Sequence, residues 1–285
     1  MGVKQFYRKF HKHLLIIPTL LLIFAIVQIS FQISSTGDFI KRGVSLKGGL
    51  EFELKENFDI IELSNYLKQE FPNSDFSVRK LTSQDETSMS ITATQVEFSD
   101  VIEKIKEKYG DVNHTEPTIT SASLGASFFR QTVKALLFAF LFIALVVFAY
   151  FRALVPSGFI VLTLFSDFVV TLSIINLLGL TVSTAGIVAF LMLIGYSVDT
   201  DILLTSRLLK RKNEDLYSRL VSAMKTGVMM VVTTLSAILV ALFLTNSPFI
   251  KEVMTIVFIG LIVDLIFTWF QNAPILIYYL ERNKK

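Results

Sequence analysis

The sequence predicts a polytopic α-helical membrane protein: six transmembrane helices, with a small ferredoxin-like α+β domain outside the membrane between helices 1 and 2. Three observations carry this. The 285 residues are 52% hydrophobic and 18% charged, at a mean hydropathy of +0.59, which is too apolar for an ordinary soluble domain. Six apolar runs are each long enough to cross a hydrocarbon core about 30 Å thick, which takes roughly 20 helical residues. Between the first two runs lies one charged, alternating stretch, residues 34–125.

Residues 1–13 hold Lys4, Arg8, Lys9 and Lys12 ahead of the apolar run 14–31. The outline is that of a signal peptide, but the run is too long and no A-x-A site follows. Residues 1–33 therefore read as a cytoplasmic N-terminus and an uncleaved first helix.

Within 34–125, residues 48–55 read as a strand. Residues 59–71 read as a helix with Ile60, Leu63, Leu67 and Phe71 on one face. Short strands at 75–82 and 88–94 flank a turn, 100–109 is a second helix, and 117–124 a closing strand. Asp59 with Glu62, and Asp100 with Glu103, resemble capping boxes with Asp in place of Ser. The order β-α-β-β-α-β is the split-βαβ pattern. Cysteine is absent, which removes disulfides, thiolate chemistry and Cys-ligated metal together, so this domain must hold by packing alone.

The remaining spans are expected at 133–151, 157–178, 184–206, 226–245 and 252–280, the last long enough to tilt or extend past the bilayer. Residues 126–285 thus read as helices 2–6 and a C-terminal tail. Six spans bring both termini to one side. Under that topology the cytoplasmic segments hold 14 Lys/Arg, against Lys251 alone in the two short outer loops. The termini are therefore expected in the cytoplasm and residues 34–125 outside, in a multi-pass protein of the cytoplasmic membrane. A net charge of +3 is too small to argue for nucleic acid, and three histidines, two of them in the basic N-terminus, make no metal cluster.

The chemistry concentrates in 184–207, a span carrying Asp199 and Asp201. A charged Asp near the centre of a membrane helix costs on the order of 2.5–3.5 kcal/mol, and such residues mark relays or ion paths. Two residues apart, the acids point about 200° away from each other and cannot pair. Asp199 shares a face with Gly195, Tyr196, Ile202 and Leu203 and reads as the inward, functional acid. Asp201, nearer the cytoplasmic end with Thr205 one turn on, reads equally well as an interfacial residue. Asp167 and Asp264 fall near mid-depth of the third and sixth spans, so helices 3, 4 and 6 are expected to share a polar interior. All four acids are proton-relay candidates. The plainer alternative is interhelical hydrogen bonding to Thr233, Thr234, Asn176 or Asn272.

Lys225, at the start of the fifth span, is the nearest cation able to answer an acid, although a lysine there ordinarily snorkels to the interface. Gly227, with Gly195 and Gly260 on other spans, fits close helix approach. Gly43 to Gly49 (GVSLKGG) lacks the G-K-[ST] ending of a phosphate loop and precedes a strand, so it reads as a turn entering the sheet.

Together these residues resemble the SecD/SecF protein-export family, in its SecF branch and archaeal form. The matching stretches are GVSLKGGLEF (43–52), STAGIVAFLMLIGYSVDTDILLTSRLLK (183–210), AMKTG (223–227), TTLSA (233–237) and GLIVDLIFTWFQNAPI (260–275). Gly43, Gly48, Gly49, Gly195, Tyr196 and Ser197 belong to the most specific of these blocks. The resemblance implies a half-bundle of the resistance–nodulation–division type that pairs with a SecD-like subunit. It also implies a Sec translocon channel and an exported polypeptide as partners, with the proton motive force as the energy source. The proton role falls on Asp199. The bacterial pattern G-Y-S-x-N-D would put Asn at 199 and Asp at 200, where this chain has Asp199 and Thr200. The bacterial basic residue on the fifth span falls on Thr226 rather than Lys225.

The function expected is a non-enzymatic export auxiliary without a cofactor. The alternative is a proton-coupled small-molecule or ion antiporter half of the same architecture. An intramembrane aspartyl protease does not fit: no Tyr precedes an Asp, and Gly260 to Asp264 has the wrong spacing for G-x-G-D.

Overall fold

The computed structural model describes residues 3–56, 58–74, 76–82, 87–210, 215–245 and 247–282. The chain opens with α1 (Val3–Leu14) and α2 (Ile16–Thr36). They meet at Leu15, where Pro18 has no N–H to return to the preceding turn. A single helical turn, α3 (Val44–Lys47), then leads into β1 (Gly49–Leu54), α4 (Ile60–Glu70), β2 (Phe76–Thr82), β3 (Thr87–Ala93), α5 (Phe98–Tyr109) and β4 (Thr118–Thr120). The four strands form one antiparallel sheet in the order β2-β3-β1-β4, the arrangement expected of a split-βαβ domain.

Strand alternation sorts the two faces of this sheet. Leu50, Phe52, Leu54, Met89 and Ile91 turn toward Leu63 and Leu67 of α4 and Val101 and Ile105 of α5, making a closed apolar core. Glu51, Glu53, Arg79, Ser90 and Thr92 turn the other way and line a polar cavity above the membrane helices.

Three local expectations are corrected. α5 begins at Phe98 with Glu97 before it, so Asp100 lies inside the first turn and is not the cap. Phe98 packs edge-on against Phe52, with ring centroids 5.0 Å apart, and this contact draws the helix start upstream. The closing strand stops at Thr120, because Ser121 Oγ accepts from Leu124 N at 3.3 Å and starts the next helix. Residues 44–47 form a helical turn where a simple turn was expected; Gly48 ends it at φ +88°, and a Cβ there would lie 2.7 Å from Ala122 N. Asp59 does cap α4, accepting from the N–H groups of Ile61 and Glu62.

Five further helical segments follow: α6 (Ala122–Phe151), α7 (Leu154–Leu177), α8 (Thr184–Lys210), α9 (Leu216–Leu244) and α10 (Pro248–Phe267). α10 continues through a π-helical turn, Thr268–Asn272, into α11 (Ala273–Arg282). With α1–α2, six helices among the described residues are long and apolar enough to cross a membrane. α6 and α9 start well before their apolar runs.

The spans α2, α6 and α9 carry exposed Leu20, Phe31, Phe138, Phe142 and Phe243, an apolar outer surface suited to lipid. α7 is buried along most of its length, between α2, α6, α8 and α10. Tyr7 of α1 donates its hydroxyl to Trp269 O at 2.9 Å, and His11 lies 4.0 Å from Glu281. The two chain ends therefore share one end of the bundle, and the sheet caps the other.

Candidate functional site

The interior of the bundle is polar where α7, α8 and α10 meet. Ser197, Thr200 and Asp201 lie on one face of α8, together with buried Leu204 and Leu208 one and two turns on. α7 brings Asp167 to this face. α10 brings Asp264, and the π-helical turn brings Thr268 and Asn272. A π turn holds more residues than an α turn, so positions 264, 268 and 272 stay in line along one face.

Ser197 Oγ lies 2.6 Å from Asp167 Oδ2 and also bonds Asp264 Oδ1. Thr200 Oγ1 lies 2.9 Å from Ser197 O and 3.2 Å from Asp264 Oδ2. Thr268 Oγ1 is 3.2 Å from both Asp201 Oδ1 and Asp264 Oδ1, and Asn272 Nδ2 donates to Asp201 Oδ1 at 2.7 Å. Asp201 and Asp264 are fully buried and Asp167 is 1% exposed. Hydroxyls alternating with carboxyls in this way can hold and pass protons.

Two of the sequence expectations change places. Asp201 is not interfacial: it stands in the polar interior. Asp199 does not point inward within this chain; it is exposed on the opposite side of α8. The reason is helical geometry. Once Ser197, Thr200, Leu204 and Leu208 pack into the bundle, a residue about 200° from Asp201 must face out. Position 200, where the bacterial pattern has Asp, is buried Thr200 bonded to Asp264.

Asp199 lines a groove between α8 and α9 with Tyr196, Lys225, Thr226, Met229, Met230, Thr233 and Thr234. Lys225 is exposed there. Thr233 and Thr234 return their hydroxyls to Met229 O and Met230 O of their own helix, and Asn176 donates to Phe39 O. Of the suggested amide and hydroxyl partners, Asn272 alone reaches a buried acid. Gly227 and Gly260 do sit at close approaches, to Trp269 and Leu193; Gly195 faces open space beside the groove. Gly43, Gly48 and Gly49 lie at the α3–β1 junction, away from all four acids.

A third polar centre joins the sheet to the bundle and was not anticipated. Glu252, in the first turns of α10, accepts from Ser183 N and Ser183 Oγ, both at 2.7 Å, and from Gly186 N at 3.1 Å. The carboxylate of one membrane helix thus caps the N-terminus of another. Beside it, Arg79 of β2 donates to Thr181 Oγ1 at 2.6 Å. Burial by the surrounding protein pushes the Glu51 carboxyl above its ordinary value and the Arg79 guanidinium below its own. An acid at the edge of an apolar run, as Glu252 is in sequence, gives no sign of whom it caps.

Residues 100–282 match the family described as protein export membrane protein SecD/SecF, C-terminal. A protein-export membrane protein SecF from Methanocaldococcus jannaschii is 39% identical, over 97% of this chain and 98% of that protein. Another from Pyrococcus furiosus is 32% identical, over 96% of this chain and 92% of that protein. The crystal structure of SecDF, a translocon-associated membrane protein from Thermus thermophilus, superposes with a TM-score of 0.80 at 17% identity. It covers 99% of this chain, which spans 40% of that longer one.

Proposed function

The chain belongs to the SecD/SecF family of protein-export membrane proteins, and on that premise we propose how it works. It is an auxiliary of Sec-dependent protein export in the cytoplasmic membrane. It acts beside a SecD-like subunit and draws on the proton motive force through its intramembrane carboxylates. Residues 1–33, 34–125 and 126–285 act as an anchoring helix, an outer domain and a five-span bundle. The basic end of the bundle lies in the cytoplasm by the distribution of Lys and Arg. The outer domain accordingly meets the polypeptide as it leaves the Sec channel. The role is that of a transport auxiliary, without a chemical step on the substrate.

The observation that carries this reading is the groove holding Asp199 and Lys225. Both side chains are exposed on a wall of membrane-spanning helices whose other lining groups are uncharged: Met229, Met230, Val231 and Leu261 with the hydroxyl side chains of Tyr196, Thr200, Thr226, Thr233 and Thr234. Hydrocarbon is a poor solvent for either charge, and intramembrane acids ordinarily face protein or a wet cavity. A second half-bundle laid against α8 and α9 would cover the groove and make Asp199 an internal residue. The inward role expected of Asp199 is then met between two subunits rather than within one.

The absence of native cysteine makes the test direct. A Met229→Cys chain, co-expressed with its SecD-like partner carrying single cysteines, should crosslink to that partner in native membranes. Crosslinks confined to two copies of this chain would refute the pairing.

A further inference from the structure

The geometry points to Tyr7 as a positioning residue: its hydroxyl, carried on the N-terminal helix α1, holds the π-helical turn of the last span in the register that presents Thr268 and Asn272 to Asp201. Its physiological use rests on the proposed function. The clasp itself belongs to this chain alone and can be measured without export.

The argument starts from a missing N–H. In an α-helix the amide of Ala273 would bond Trp269 O, four residues back, and the amide at 274 would bond Phe270 O. Position 274 is proline, which has no N–H and whose ring clashes with the carbonyl four residues before it. One extra residue in the turn relieves that clash: Ala273 N bonds Thr268 O, five residues back, closing the π turn Thr268–Asn272. Trp269 O has then lost Ala273, and the amide that would serve it in the π register, the one at 274, is the one proline lacks. The shift leaves this carbonyl without either of the amides that ordinarily reach it. Trp269 is 1% exposed, and a bare acceptor there is costly.

Tyr7 supplies the donor. It is 3% exposed, and its hydroxyl donates to Trp269 O at 2.9 Å. The two side chains share one apolar cluster with Leu204, Leu220 and Leu276. α1 is pinned at this end of the bundle by Lys4 Nζ as well, 2.8 Å from Ser218 Oγ of α9.

The register of the turn decides what reaches the polar interior. Thr268 Oγ1 lies 3.2 Å from Asp201 Oδ1, and Asn272 Nδ2 donates to the same oxygen at 2.7 Å. Between them, Gln271 Nε2 lies 3.2 Å from Ser166 Oγ of α7. Each residue turns an α-helix by about 100°. Annealing the turn to α geometry would therefore re-aim Asn272 relative to Thr268, and the two would no longer meet on Asp201. Tyr7 acts on Asp201 through this turn and touches no acid itself.

The chain has one tryptophan, so tryptophan isotopically labelled at its carbonyl carbon marks the single carbonyl in question. Infrared spectroscopy of the purified full chain in lipid nanodiscs then reads the isotope-shifted amide band of Trp269 by itself. Tyr7→Phe, which removes only the hydroxyl, should move that band to higher wavenumber, the direction for a carbonyl losing a donor. In a Pro274→Ala chain, whose backbone regains an amide at 274, the same Tyr7→Phe change should move it far less. No movement in Tyr7→Phe, or equal movement with and without Pro274, would overturn the clasp. Export in vesicles holding the chain and its SecD-like subunit reads the positioning role. Tyr7→Phe should lower the gradient-driven rate several-fold and leave the rate without a gradient unchanged. A lower unfolding temperature with full gradient stimulation would reduce the bond to a structural one and overturn that role. Export that ignores the gradient in the parent chain would refute the proposed function instead, and the two infrared measurements would still decide the clasp.

Discussion

Ser183 and Glu252 are joined twice: the Ser183 backbone N–H donates to one carboxylate oxygen and the Ser183 hydroxyl to the other, both at 2.7 Å. α8, which carries Ser197, Asp199 and Asp201, is therefore anchored at its sheet-capped end by α10, which carries Asp264. The sheet reaches the same place through Arg79 and Thr181. This joint ties the sheet domain to both acid-bearing helices.

Glu252→Ala should destabilise the folded chain by about 1–2 kcal/mol, the usual effect of losing a side-chain cap. Thermal unfolding in detergent, followed by circular dichroism, measures it. The loss should be largely spared in Glu252→Gln, whose carbonyl oxygen still accepts. An Ala variant as stable as the parent would show that water replaces the cap.

Gly227→Ala should cost about 1–3 kcal/mol, the range for overpacking a filled core. The added Cβ would meet Trp269 Cζ2 at 2.7 Å, and Trp269 is fixed within the bundle at 1% exposure. Gly195→Ala, which points into open space, should leave the isolated chain within about 0.5 kcal/mol of the parent. The same Gly195 change should weaken association with a SecD-like partner, measured by copurification, because it sits beside the groove.

Glu51 predicts a pH dependence outside the membrane. Burial raises its carboxyl, the Ser90 hydrogen bond and Arg79 pull it down, and Glu252 and Glu53 raise it again, for a net rise. The folded chain then binds more protons than the unfolded chain between the ordinary and the raised values. Its stabilising contribution is complete below the ordinary carboxylate range and is lost as pH rises through the raised value. Glu51→Gln should flatten the change in unfolding temperature between about pH 4 and pH 7. An unchanged profile would remove Glu51 as its source.

The six spans and the β-α-β-β-α-β domain were legible because their signals are local: long apolar runs, period-two strands and Asp59 at a helix start. Which side of α8 faces the bundle was not. Both sides of a membrane helix are apolar, so Asp199 and Asp201 differ by angle but not by any visible partner. The convergence of acids from the third, fourth and sixth spans was foreseeable from depth, yet the member from α8 is Asp201. Ser197 and Thr200 on its face were the available clue, since small hydroxyl side chains lie within a turn of Asp201, whereas Asp199 shares its face with Gly195, Tyr196, Ile202 and Leu203. The π-helical turn at 268–272 has only Pro274 as a local sign, and the cap that Glu252 makes on α8 depends on a tertiary partner and leaves none.

On the proposed function, this chain couples protons to Sec export through a charged groove shared with a partner, and Asp199 is the acid of that groove. The measurement is export of a reporter polypeptide in membrane vesicles holding the chain and its SecD-like subunit, with and without a proton motive force. The Asp199→Asn chain should copurify with the partner as the parent does, while its export falls to the rate seen without a proton gradient. Full stimulation by the gradient in the Asp199→Asn chain would contradict the account.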